Sequence, residues 1–211
     1  MTGSQESVEL PMFPLGSVLF PGAVLPLHIF EIRYQQMLNA VLEADRRFGV
    51  VLITRGSEVG GGEARSEVGT VAVIDDYQRY DDGRAAVVST GTERIEIVEW
   101  LADDPFPRAM VRKLPVEPEQ NDEASKLARA QARFGDLLSL AERLGRLDGR
   151  PDTDWLEDVE GGSWQLAGRL PCSAHDQFTV LSAPTRSDRF VRLGALLDEI
   201  YADLELMGGL G

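Results

Sequence analysis

The chain has 211 residues and is 43% apolar, enough to build a substantial core, which excludes a globally disordered polypeptide. Its 21 basic residues stand against 35 acidic ones, a net charge of −14. Non-specific association with nucleic acid or an anionic membrane would therefore begin against like-charge repulsion. Cys172 is the sole cysteine, so no internal disulfide can form, as suits a reducing compartment.

Residues 1–7 are polar and read as a flexible tail without the basic and apolar regions of a signal peptide. No apolar run reaches membrane-spanning length, and the expectation is a soluble, cytoplasmic protein. The stretch 10–42 organises the rest of the chain. Pro11, Pro14, Pro21 and Pro26 punctuate an apolar run; each lacks a backbone donor and extends the residue before it, which predicts short extended pieces joined by corners. Phe20-Pro21-Gly22 is the sharpest of these turns. From Phe30 the spacing becomes helical, with Phe30, Tyr34, Met37, Leu38, Val41 and Leu42 on one face. Residues 48–54 read as a buried strand, and 56–63, with Gly60-Gly61-Gly62, as a loop. Strand-like runs over 67–77 and 84–100 flank Tyr80-Asp81-Asp82-Gly83, a hairpin signal, and Gly91 predicts a bulge in the second. A last strand covers 108–112. Residues 8–114 thus form a mainly β unit holding one helix.

The acidic, proline-bearing segment 115–122 reads as a linker, and beyond it, over 123–206, the period is helical. Leu127, Ala130, Phe134, Leu137, Leu138, Ala141 and Leu144 make one apolar face, ended by Asp148-Gly149-Arg150-Pro151. A weaker helix surrounds 164–170. Ser173 and Asp176 form an acidic version of a capping box, and Thr185 and Asp188 sit at the start of the last helix, which carries Phe190, Leu193, Leu197, Ile200, Tyr201 and Leu204. Residues 207–211 read as a flexible tail.

Three segments carry a family resemblance. Leu10-Pro11-Met12-Phe13-Pro14-Leu15 runs on through Leu19-Phe20-Pro21-Gly22 to Pro26-Leu27-His28-Ile29-Phe30-Glu31-Ile32-Arg33-Tyr34. Then come Val68-Gly69-Thr70-Val71-Ala72-Val73-Ile74 with Asp82-Gly83-Arg84 and Gly91-Thr92-Glu93-Arg94, and Leu170-Pro171-Cys172-Ser173-Ala174-His175-Asp176-Gln177 before the helix with Arg189 and Leu193. The pattern resembles the N-terminal, substrate-binding domain of Lon-type ATP-dependent proteases, in a stand-alone bacterial-type form. The resemblance implies an α+β fold, with a PUA-like β-barrel followed by a C-terminal α-helical bundle. It also implies a non-catalytic module that recognises unfolded or degron-bearing polypeptide, either on a barrel edge or in a groove between barrel and bundle. No Gly-x-x-x-x-Gly-Lys-Ser/Thr occurs and only Lys113 and Lys126 are lysines, so neither ATP binding nor a Ser/Lys peptidase site is expected.

Phe20, His28, Phe30, Arg33, Tyr34 and Trp164 are the candidate peptide-contacting residues. For His28 a hydrogen-bonded barrel histidine is the stronger reading. Cys172 and His175 lie three apart, but one cysteine and two histidines cannot supply a four-ligand zinc site, and cap and core roles are favoured for both. No catalytic set, metal or cofactor is expected. A small hydrolase using Cys172 and His175, and an RNA-binding PUA-like protein, are the alternatives; the net charge and the lack of a basic aromatic face disfavour the second.

Overall fold

The computed structural model describes residues 6–56, 64–147, 149, 151 and 153–208. The predicted glycine loop at 60–62 lies outside them. Two compact units divide the chain, Met1–Val116 and Glu117–Gly211.

The first unit carries strands β1 (Val8–Leu15), β2 (Val24–Ile29), β3 (Arg47–Arg55), β4 (Ala64–Arg79), β5 (Ala85–Trp100) and β6 (Arg108–Lys113), with helix α1 (Ile32–Glu43) between β2 and β3. The strand order is β2-β5-β4-β3-β1-β6, and β6 pairs back onto β5, so the ladder returns on itself. β1 shows how a strand tolerates two internal prolines. Its first half, Val8 to Pro11, pairs with β6, and its second half, Met12 to Leu15, pairs with β3. Each half therefore keeps one side unladdered, where a missing N–H costs little.

β3 is apolar without alternation because both of its faces are covered. Phe48 and Val50 join a core with Phe13, Leu15, Tyr34, Met37 and Leu38, whereas Val51 joins Leu10, Met12, Val71, Ile95 and Val111. Helix α1 buries Tyr34, Met37, Leu38 and Val41, and the Tyr34 ring stacks on Phe13 with centroids 4.2 Å apart. Phe30 is not on that helical face. It follows β2 and precedes α1, outside both, and is 58% exposed. The turn at Phe20-Pro21-Gly22 forms as expected: Ala23 N–H donates to Phe20 C=O over 3.1 Å, and Gly22 has φ +80°, the left-handed value a type II turn needs after proline. The register shifts between Thr70 and Ala72, opposite Gly91 to Arg94, as the glycine predicted.

The second unit carries α2 (Glu123–Arg143), α3 (Val159–Arg169), α4 (Ala174–Leu181) and α5 (Arg186–Gly208). α2 buries Leu127, Phe134, Leu137, Leu138 and Ala141 but stops earlier than predicted. Gly145, at φ +64°, ends it, with Gly145 N–H on Glu142 C=O and Arg146 N–H on Ala141 C=O, the paired bonds of a Schellman motif. The Ser173–Asp176 capping box is present on α4, and Thr185 and Asp188 make the same reciprocal bonds before α5.

A buried ion network ties this unit together. Arg186 donates from Nη1 to Glu123 Oε2 (2.7 Å), from Nε to Glu160 Oε2 (2.8 Å) and from Nη2 to Glu117 C=O (2.6 Å). Arg189 donates to Ser163 Oγ (2.8 Å) and Glu160 Oε1 (3.1 Å), its guanidinium 3.3 Å from the Trp164 ring centroid. Burial raises the Glu123 and Glu160 carboxyls, but at Glu123 the Gln120 N–H and then Arg186 outweigh it, and at Glu160 Arg189, then Arg186 and the Trp164 N–H do. Both carboxyls are held below the usual range.

The α+β class is borne out: a six-stranded sheet with one helix, then a helical region.

Candidate functional site

β2 is the strand with an open side. Among the described residues it pairs only with β5, from Val24↔Thr90 to Ile29↔Ala85. Gly91 N–H donates to Ala23 C=O, and from that bond the antiparallel ladder alternates. Leu25, Leu27 and Ile29 exchange bonds with β5, and the backbone groups of Val24, Pro26 and His28 turn outward. Pro26 has no N–H and occupies an outward position, where an edge strand accommodates it. The solvent face of this strand pair carries apolar side chains left uncovered, Val24 65% and Val88 40% exposed, and Ile32 at the start of α1 is 73% exposed.

Beside β2 lies the unladdered side of β1's second half. Between them is a pocket of about 170 Å³ lined by Phe13, Leu15, Leu27, Ile29, Phe30 and Tyr34 among others. A second pocket, of about 410 Å³, lies at the far end of β2 between Phe30, His28, Tyr80 and Arg84. Phe30 and His28 belong to both. Arg84 is held 2.7 Å from Asp82, and through that hydrogen bond the Asp82 carboxyl falls below its ordinary value. The site is thus mainly apolar, with an exposed backbone edge and two neutralised ion pairs, Asp82–Arg84 and Glu31–Arg33.

Of the six predicted contact residues, His28, Phe30 and Tyr34 line these pockets, whereas Phe20, Arg33 and Trp164 do not. Phe30 and His28 are exposed; His28 is on the outer face of β2 rather than a hydrogen-bonded interior histidine. Arg33 is half-buried, donating from Nε to Glu31 Oε2 at 3.0 Å and lying 4.5 Å from the Tyr34 ring centroid, which anchors the helix start. Phe20 is 3% and Tyr34 4% exposed, so both are core residues and only the pocket floor is open to contact through Tyr34. Trp164 belongs to the helical unit, is 2% exposed and serves as the platform under Arg189; its burial removes it from any contact surface. Sequence reasoning missed Val24 and Val88, whose exposure follows from strand pairing rather than residue type, and Ile32, exposed at the first position of α1.

Cys172 and His175 do not make a nucleophile pair. Burial, and then the Asp176 carboxylate, push the Cys172 thiol up, while Asp176 is committed to the Ser173 cap and His175 is exposed. Cys172 should accordingly react with iodoacetamide at pH 7 more slowly than free cysteine, because the thiolate is the attacking form. Mass-spectrometric counting of alkylated chains over time checks it.

Residues 9–199 match the family model described as the ATP-dependent protease La (LON) substrate-binding domain. The chain belongs to that family. It is 30% identical over 209 residues to Lon protease 2 of Herpetosiphon aurantiacus, covering 95% of this chain and 25% of that protein. It is 27% identical over 216 residues to a LON peptidase N-terminal domain and RING finger protein of Schizosaccharomyces pombe, covering 86% of this chain and 43% of that protein. The chain therefore spans a quarter to less than half the length of these relatives. Among solved structures, a Lon N-terminal domain protein from Xanthomonas campestris superposes with TM-score 0.62 at 26% identity, over 89% of this chain and 98% of the other. The N-terminal domain of a Mycobacterium avium complex Lon protease shares the fold, with TM-score 0.68 at 15% identity over 90% of this chain and 98% of the other. No helix among the described residues is long and apolar enough to cross a membrane.

Proposed function

We propose that this chain recognises polypeptide without acting on it chemically, holding an extended, apolar segment against the open side of β2. The observation that carries the reading is the one-sided β2 strand, beside an apolar pocket, in a member of a substrate-binding family. An added strand would hydrogen-bond to the outward groups of Val24, Pro26 and His28, and alternate side chains would enter the pocket floored by Phe13 and Tyr34. Phe30 and Ile32 would flank it. The raised Cys172 thiol and the commitment of Asp176 to a cap support recognition rather than catalysis.

A pair of substitutions at one position tests the edge. His28→Pro removes an outward donor without removing a bond to β5, and His28→Ala removes only the side chain. With casein as an unfolded probe, His28→Pro should weaken binding roughly three- to tenfold beyond His28→Ala, the worth of a single backbone hydrogen bond, since both variants lose the same imidazole from the pocket rim. Equal binding by His28→Ala and His28→Pro, with both folded by circular dichroism, would contradict pairing at this edge.

A further inference from the structure

A strand with an open side is a template for any other strand, including the same strand of a second copy. β2 has the composition for such self-pairing. Its sequence Val24-Leu25-Pro26-Leu27-His28-Ile29 is mostly apolar, and Val24 and Val88 stand uncovered on the solvent face. Its outward backbone groups belong to Val24, Pro26 and His28, the positions that exchange no bonds with β5. The middle one of the three is the proline.

Two copies of β2 meeting on a two-fold axis run antiparallel, with outward residues opposite outward residues. The register that overlaps the whole strand sets Val24 against His28 of the second copy and Pro26 against Pro26. Both central donors are then missing, and each proline ring stands where its hydrogen would have been, against the facing carbonyl. Sliding one copy by two residues either way brings Pro26 opposite Val24 or opposite His28, so the fault persists. A longer slide leaves a single outward residue of each β2 in register. No register with more than one such residue per copy avoids Pro26. A flexible segment meets one proline instead of two, and it can turn the one carbonyl left without a donor towards water. Strands held in two folded units have no such freedom.

We infer that Pro26 bars the open side of β2 from pairing with a second copy of this chain. The edge thereby stays open to a flexible polypeptide, a step that rests on the reading of β2 given above.

Pro26→Val tests the inference. Position 26 faces away from β5, so the change adds an outward N–H without removing a bond to β5, and a β-branched side chain suits a strand. Sedimentation velocity of the full chain, without casein, should show the parent as a monomer. Pro26→Val should dimerise roughly ten- to a hundredfold more tightly than the parent, about three- to tenfold for each of the two restored bonds. Exchange of its Val24 and His28 amides should slow as its concentration rises. The double variant Pro26→Val with His28→Pro keeps the added apolar side chain but returns a proline to the outward row, and it should sediment as the parent does. Pro26→Val associating no more tightly than the parent would overturn the inference. So would a double variant that dimerises as tightly as Pro26→Val, or a parent dimer that protects the Val24 and His28 amides. Casein takes no part in these measurements, so a failure of polypeptide recognition at β2 is read separately.

Discussion

Replacing Arg186 by methionine should destabilise the helical unit by about 3–5 kcal/mol, the usual cost of removing one partner from a buried ion pair. Arg186 is 4% and Glu123 1% exposed, so the substitution strands a carboxylate away from water, and Glu160 loses one of its two guanidiniums. The double variant Arg186→Met with Glu123→Met should recover most of the loss, because it leaves no unpaired charge at that pair. Urea unfolding of the parent, single and double variants gives the comparison. The same network sets a pH dependence. The Glu123 and Glu160 carboxyls sit below their usual range in the folded chain, so the unfolded chain binds protons more readily. Their stabilisation is complete above the ordinary glutamate value of about 4.3 and is lost as pH falls through the lower folded values. The helical unit should therefore weaken below about pH 4, and the weakening should be smaller in the double variant.

The second large effect is expected at Gly91. A Cβ there would lie 2.4 Å from the Phe20 carbonyl oxygen and 3.0 Å from Leu19 Cγ. Those atoms belong to the turn that begins β2, and Gly91 also accepts from Gly22 N–H and donates to Ala23 C=O. An alanine methyl would push the turn away and loosen both bonds. Gly91→Ala should cost about 3 kcal/mol, at the upper end of overpacking penalties. Gly135→Ala is the natural contrast: nothing lies within 4 Å of its Cβ, and the helix should gain about 1 kcal/mol from the better helix former. Hydrogen exchange of the β5 amides reads the first loss separately from the helical unit.

What was legible in the sequence was what neighbouring residues decide between themselves. The Pro21-Gly22 turn, the Ser173–Asp176 box and the doubly covered run of β3 each follow from a few adjacent side chains. The ion network was invisible because Glu123 and Arg186 are 63 positions apart and Glu160 and Arg186 are 26 apart; no local spacing relates them. Trp164 misled for the same reason, since a large ring reads alike as an exposed anchor and as a platform until Arg189 is placed on it. Phe30 misled differently. Its spacing to Tyr34 suits a helix, yet the backbone becomes helical only at Ile32, and a residue that precedes the helix need not face the core that the helical residues face. The open side of β2, the centre of the proposed site, depends on which strand lacks a second neighbour, a property of the whole pairing order rather than of any segment.

The most direct measurement is hydrogen–deuterium exchange of the full chain with and without casein. Binding at the open side of β2 should slow exchange of the outward Val24 and His28 amides, with a smaller effect at Ile32. Casein that binds while leaving the 24–32 amides unchanged would contradict the assignment of polypeptide recognition to β2.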